Sequence, residues 1–359
     1  MLRGSGAWQQ ALSTIGSLCT RPLVLGRSSA TRALRTACQH DLELAGLVCQ
    51  SAELLHDCCE DDLGRIQAEA GASHGQPTPD AVMAIGGGKV LDAGKLLADR
   101  LGIACITVPT SAATCAGWTA LANVYSPQGA FIGDVALARC PDLLVFDHSF
   151  VLQAPARTLA SGIADAMAKW YEASVSSGHS SDGLIQQAVQ MARVLRDQLL
   201  LDSLTAMAEP GGEAWVRVVE ACALTAGLIG GIGGARCRTV AAHAVHNGLT
   251  QLEATHGVLH GEKVGFGILV QLRLEEVLGG SQLAAQARRQ LVPFFSQLGL
   301  PLTLADLGLG NAGLLDLQRA CSFACREGSD LHHLPFAVDP SDLLAALVSS
   351  CSSNEQQPA

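Results

Sequence analysis

The sequence predicts an α/β domain with a doubly wound, parallel, Rossmann-like sheet, followed by an all-helical domain. Three observations predict it. Short apolar runs alternate with helical patterns from residue 22 to residue 146, as βαβ units require. The sequence Gly86-Gly87-Gly88-Lys89 stands between an apolar run and a helical pattern. From about Ala154 the periodicity becomes helical throughout. The boundaries read from this are 1–153 for the α/β domain, 154–351 for the helical domain, and 352–359 for a disordered polar tail. A cleft is expected where the two domains meet.

In chain order, Pro22–Gly26 reads as the first buried strand, and a helix is expected over about Arg32–His40. The apolar run Ala45–Cys49 reads as a second strand, Leu54–Ala70 as a helix and Gly71–Pro79 as a loop. Ala81–Ile85 is the next strand, Val90–Leu101 the next helix, and Ile103–Val108 and Asp142–Phe146 are further strands. Near-continuous apolar strands belong to parallel sheets covered on both faces. Helices are then expected at Pro155–Ser174, Leu184–Leu200, Glu213–Leu228, Val240–Leu252, Glu262–Leu278, Ser281–Leu298, Ala312–Arg326 and Ser341–Ser350. Gly230–Gly234 reads as a glycine-rich break.

Composition excludes several classes. The chain has 359 residues, 48% of them hydrophobic, enough for two domains with large cores. A net charge of −10 argues against a nucleic-acid partner. No apolar run is read as long enough for a membrane span. Thirteen cysteines without a Cys-x-x-Cys pair read as free thiols in a reducing, cytoplasmic compartment. The first forty residues lack Asp and Glu, as transit peptides do, but the strand at Pro22 argues against that reading.

Four of eleven histidines cluster in His243-Ala-Val-His246 and His256-Gly-Val-Leu-His260. Spacings of three and four place each pair on one helix face. Neutral imidazole is a common ligand for divalent metals. A further ligand is needed, and Asp165 and Glu172, on an otherwise apolar helical stretch, both qualify. The glycines of Gly86–Lys89 allow close backbone approach to a pyrophosphate at a helix N-terminus. They also suit a plain tight turn. Asp92 and Lys95 read either as part of that site or as a capping or surface pair.

Together, Gly86-Gly-Gly-Lys89-Val-Leu-Asp92-Ala-Gly-Lys95, Val108-Pro-Thr110, Gly162-Ile-Ala-Asp165-Ala, His243-Ala-Val-His246-Asn-Gly and His260-Gly-Glu-Lys263 resemble the iron-containing alcohol dehydrogenase superfamily, in its order and over nearly the whole chain. The resemblance, to the glycerol dehydrogenase-like branch, implies the dehydroquinate synthase-like fold, a homo-oligomer and a nicotinamide cofactor, NADP or NAD. It implies one zinc or other divalent ion per chain on Asp165, His243 and His260. His246 and His256 would lie beside the metal, with His246 able to relay a proton. The family's cofactor contacts map onto Gly88, Lys89, Thr110, Thr119, Leu121 and Tyr125, and Gly86 and Gly87 join them as part of the phosphate turn.

The departures point to the substrate. Where glycerol dehydrogenases carry an acid for the adenosine ribose, this chain has Arg27, and an Arg suits a 2′-phosphate. Where an acid contacts glycerol, it has Cys115. Arg238 stands five residues before His243. Thr114-Cys-Ala-Gly-Trp-Thr119 and Ala168-Lys-Trp-Tyr-Glu-Ala173 resemble hydroxycarboxylate dehydrogenases, which reduce 2-oxo acids with NADPH. The expected activity is hydride transfer to a small 2-oxo acid, with Cys115 and Arg238 facing the substrate and an Arg suited to its carboxylate. Glycerol oxidation with NAD is the alternative, followed by a dehydroquinate synthase-type lyase and a non-catalytic binding protein.

Overall fold

The computed structural model describes residues 1–71 and 78–350. The expected tail at 352–359 and most of the loop at 71–79 lie outside the described residues. The chain divides into two compact units, Met1–Pro155 and Ala156–Ala359.

In the first unit, β1 (Leu2–Gly4), α1 (Ala7–Leu18), β2 (Pro22–Gly26), α2 (Arg32–Leu44), β3 (Gln50–Glu53), α3 (Glu60–Gly71), β4 (Ala81–Gly86), α4 (Gly88–Leu101) and β5 (Ala104–Pro109) follow in order. A hairpin of β6 (Leu121–Tyr125) and β7 (Phe131–Ala136) precedes β8 (Leu143–Asp147) and the short α5 (His148–Val151). The six-stranded sheet runs β1-β8-β5-β4-β2-β3, with every pair parallel. Alternation along the strands divides the core in two. Val24, Met83, Ile106 and Val145 pack under α1 and α2, while Leu23, Leu25, Val82 and Ala84 pack under α3 and α4. This is the expected doubly wound layering.

Several elements differ from the sequence reading. Residues 2–18 form β1 and α1, which the reading passed over. The second strand is Gln50–Glu53 rather than Ala45–Cys49, because Ala45 and Gly46 close α2 with Gly46 at φ +90°. A polar run serves as a strand there because it lies at the sheet edge, with alternate residues exposed. The helix expected from Leu54 starts only at Glu60. Asp62 holds the preceding loop, accepting from the backbone N–H of Leu55 at 2.8 Å and His56 at 2.7 Å. Asp92 and Lys95 are not a surface pair. Both are buried and lie 3.0 Å apart. Lys95 Nζ donates to the carbonyls of Thr119 and Leu121, and Asp92 accepts from Asn123 N, so the pair ties β6 to α4.

The second unit is helical: α6 (Ala156–Ser177), α7 (Gly183–Ala208), α8 (Glu213–Glu220), α9 (Ala226–Gly233), α10 (Ala241–Leu249), α11 (His260–Val277), α12 (Gln282–Gln297), α13 (Leu314–Ala324) and α14 (Pro340–Ser349). A π-turn at Ala221–Thr225 joins α8 to α9. Most of the glycine-rich break therefore belongs to a helix, and the turn comes at Gly234, with φ +71°. The continuous run Glu213–Gly233 does reach the length and hydropathy of a membrane span, contrary to expectation. More than half of its apolar window is buried inside the protein. His256 and His260 do not share a helix, because α11 begins at His260.

Helices α6, α10 and α11 approach closely because small residues line their crossings. A Cβ on Gly267 would stand 2.3 Å from Ala242 O, and one on Gly261 only 1.8 Å from Ser161 O. Gly267→Ala is therefore expected to destabilise the protein by about 3 kcal/mol or more in urea unfolding. Gly64→Ala, in α3 with nothing within 4 Å of the added methyl, should be neutral or stabilising by up to about 1 kcal/mol.

Candidate active site

The second unit brings the expected ligands together. Asp165, Lys169 and Glu172 occupy one face of α6, His243 and His246 one face of α10, and His260 the first turn of α11. One donor atom from each of Asp165, His243 and His260 lies within 4.8 Å of the others. His243 Nε2 stands 3.3 Å and His260 Nε2 3.6 Å from Asp165 Oδ1.

The hydrogen bonds behind these atoms define what they offer. His243 Nδ1 meets Glu172 Oε2 at 2.7 Å, and Glu172 Oε1 accepts from the backbone N–H of Val240 and His243 at 2.7 and 2.9 Å. Glu172 thus orients His243 and keeps its Nδ1 protonated. His246 Nδ1 meets Asn247 Oδ1 at 2.9 Å, and His246 Nε2 meets His260 Nδ1 at 3.0 Å. With Nδ1–H directed at Asn247, His246 Nε2 accepts from His260, which leaves His260 Nε2 as a bare lone pair. A carboxylate oxygen and two imidazole lone pairs then converge.

Asp165 Oδ1 is buried without a hydrogen-bond partner of acceptable geometry. Such an atom in a low-dielectric interior calls for a cation. Lys169 Nζ, 3.6 Å away, supplies charge, but its hydrogen bond goes to Arg238 O at 3.3 Å. Burial opposes ionisation of Asp165, yet Lys169, His243 and His260 hold its carboxyl well below the usual range. Burial disfavours the charged form of His243 too, but the Glu172 and Asp165 carboxylates together raise its pKa. Burial keeps His260 low, and burial with His260 and Lys263 keeps His246 well below the ordinary value. The donor set, with each imidazole fixed by an outer hydrogen bond, fits a divalent metal.

Other expected residues fall elsewhere. His256 Nε2 bonds Thr250 O at 2.9 Å, a structural contact. Lys263 Nζ donates to Thr255 O and Val258 O at 3.1 Å each, pinning the loop before α11. The stem of Arg238 lies against Gly230, and its positive charge favours ionisation of Asp330, which burial opposes. A second cluster, His56, Cys59 and Asp62, fits a metal poorly. Both oxygens of Asp62 are engaged, by Leu55 N, His56 N and Arg65.

In the first unit the glycine turn caps α4. Gly87 is the N-cap, and no side chain caps the helix; Val90 and Leu91 N–H bond Gly87 O, so the N–H groups of Gly88 and Lys89 are the ones without an intrahelical acceptor. A Cβ on Gly88 would stand 2.8 Å from Thr114 Oγ1, whereas one on Gly87 would meet only Ser111 Oγ, at 3.9 Å. The turn therefore needs glycine at 88 and offers open space over 87, as a phosphate cradle does. Thr110 N bonds Gly86 O at 3.0 Å, and Lys89 Nζ lies 5.1 Å over the Tyr125 ring. Thr119 and Leu121 lie further along the hairpin on Lys95. Cys115 is half-buried in the loop over the turn. Arg27 follows β2 and is held by Asp57, which also holds Lys89. The sequence reading missed Asp57, Asn247 and the orienting role of Glu172.

Residues 1–148 match the iron-containing alcohol dehydrogenase family. An uncharacterized oxidoreductase of Synechocystis sp. is 58% identical over 85% of this chain and 78% of its own length. Hydroxycarboxylate dehydrogenase A of Escherichia coli is 35% identical over 80% of this chain and 78% of its own. A solved structure of a probable glycerol dehydrogenase from Sinorhizobium meliloti superimposes with a TM-score of 0.84 at 30% identity, covering 97% of this chain and 95% of that one. These likenesses set aside the lyase and non-catalytic readings. The chain belongs to the iron-containing alcohol dehydrogenase family, in its glycerol dehydrogenase-like branch, and is a metal-dependent NAD(P) oxidoreductase acting on CH–OH groups.

Proposed function

We propose that this enzyme interconverts a short 2-oxo acid and its 2-hydroxy acid with NADP(H), using one divalent metal on Asp165, His243 and His260. The observation that carries the metal assignment is the buried Asp165 Oδ1, without a hydrogen bond, facing two histidine nitrogens. A metal bound there supplies Lewis acidity, which lowers an alcohol's pKa or polarises a ketone. Glu172 fixes the tautomer of His243, and His246, engaged at both nitrogens, positions His260. The turn at Gly86–Lys89 is assigned to the cofactor pyrophosphate, with Thr110 and Tyr125 beside it. Hydride chemistry belongs to the cofactor, and the protein contributes orientation and electrostatics.

The substrate class rests on other residues. Cys115 places no anion where glycerol dehydrogenases carry an acid, and Arg238 adds a guanidinium ahead of α10. The likeness to hydroxycarboxylate dehydrogenase A supports the same class. The 30% identity to the glycerol dehydrogenase structure makes glycerol the competing substrate. Arg27 in place of an acid supports NADP(H).

Purified protein should carry about one divalent metal per chain. His260→Ala should lose both metal and activity, and His256→Ala should retain most of each. Full turnover after exhaustive chelation would refute the assignment.

Wild type is expected to use NADPH better than NADH. Arg27→Asp should shift the kcat/KM ratio toward NADH by about tenfold or more, the effect of one lost charge-assisted contact. A clear wild-type preference for NADH would show that Arg27 does not serve the cofactor in this way.

On a panel of 2-oxo acids and polyols, a short 2-oxo acid should be the best substrate. Arg238→Met should raise its KM while leaving an uncharged ketone little affected. Better turnover of glycerol, or an unchanged KM, would favour the glycerol dehydrogenase reading.

A further inference from the structure

The switch from acid to arginine at position 27 is not the whole of the local charge pattern. Arg27 follows β2, Asp57 lies in the loop after β3, and Lys89 sits in the first turn of α4. Three segments remote in sequence thus meet on one carboxylate. Asp57 Oδ1 accepts from Arg27 Nη1, and Asp57 Oδ2 from Lys89 Nζ. The Asp57 side chain is 8% exposed, whereas Arg27 and Lys89 are 38% and 43% exposed. The neighbouring cations of α2 are drawn elsewhere: Arg35 Nη2 meets Glu53 Oε1 at 2.8 Å, and Arg32 Nη2 meets Glu53 Oε2 at 3.4 Å.

We propose that Asp57 is an internal anion competing with the cofactor's 2′-phosphate for Arg27, and so sets how strongly the enzyme prefers NADP(H) over NAD(H). The proposal rests on the assignment of Arg27 to that phosphate. A carboxylate satisfies the same cation geometry as a phosphate oxygen pair. An incoming 2′-phosphate must therefore displace Asp57 from Arg27 or accept its repulsion at close range. Two positive charges set against one carboxylate can take up a phosphate dianion only by leaving the cluster negative. Without the carboxylate, Arg27 would meet the dianion with no competing negative charge beside it. Lys89 serves any nucleotide through the α4 turn, whereas Arg27 serves only those phosphorylated at the 2′ position. Asp57 therefore bears on the ratio between the two cofactors more than on nucleotide binding as such. Asp57 also separates Arg27 from Lys89, whose like charges would otherwise repel, so the cluster is ordered before cofactor arrives.

Isothermal titration with 2′,5′-ADP and 5′-AMP tests this without turnover. Asp57→Asn should tighten 2′,5′-ADP by about tenfold, the scale of one charge-assisted contact, and 5′-AMP by a few-fold at most. Asp57→Ser should move the ratio of the two dissociation constants in the same direction, with a cooperative melting transition reporting that each variant is folded. Arg27→Ala should weaken 2′,5′-ADP alone, and adding Asp57→Asn to it should move the ratio by less than Asp57→Asn does in the wild-type background. An unchanged or reversed ratio in both Asp57 variants overturns the proposal while leaving the role of Arg27 intact. If Arg27→Ala leaves 2′,5′-ADP binding unaltered, the assignment of Arg27 to the phosphate fails, and the proposal with it.

Discussion

A carboxylate buried against two imidazoles governs the second unit. Asp165 is 4% exposed, and its Oδ1 lies among nitrogens at 3.3–3.6 Å without a well-formed hydrogen bond to any of them. Helices α6, α10 and α11 hold that arrangement against the mutual repulsion of lone pairs. They can do so because Gly261 and Gly267 let backbones approach where any side chain would collide. The histidines are locked from behind by Glu172 and by the chain from Asn247 through His246 to His260. A buried carboxylate oxygen without a hydrogen bond is costly in a stable fold; Lys169 offsets part of that cost through its charge, and a metal ion bound by the oxygen and the two imidazoles would offset the rest.

The first unit solves a different problem with the same economy of side chains. Apart from the polar edge strand β3, its parallel sheet is apolar on both faces, so polar chemistry gathers at strand ends and the loops beyond them. The end of β4 supplies a helix N-terminus without a side-chain cap, and the loop of residues 110–119 closes over it through Thr110, Thr114 and Gly117. Lys95 and Asp92, buried behind that turn, fix β6 against α4. Elsewhere burial quiets reactive groups: it pushes the thiols of Cys19, Cys38, Cys105 and Cys321 up to about 12, so they behave as core residues.

Much of this was legible in the sequence. Pro22–Gly26 was read to the residue because a strand covered on both faces is apolar throughout. The histidine cluster and the two carboxylates Asp165 and Glu172 stood out because charged and imidazole side chains are conspicuous in Ala- and Gly-rich helices, and the family resemblance narrowed them to Asp165, His243 and His260. Other features were hidden for physical reasons. β3 is an edge strand with polar residues, which composition does not separate from loop. The β6–β7 hairpin was missed although Ser126-Pro-Gln-Gly129 carries a turn signal, with Gly129 at φ +93°. Asp57 carried no local signal at all, since its meaning comes from Arg27 and Lys89, thirty and thirty-two residues away. Contacts of that range are written in topology, not in spacing.

The central claim is that Asp165, His243 and His260 form one metal-binding set. Zinc K-edge X-ray absorption on the zinc-loaded protein tests it most directly. The account predicts a first shell of nitrogen and oxygen at about 2.0–2.1 Å with the outer-shell pattern of two imidazoles. A sulfur shell at about 2.3 Å would place the ion on a cysteine instead, and an imidazole-free shell would leave it on the surface. Either result would contradict the assignment.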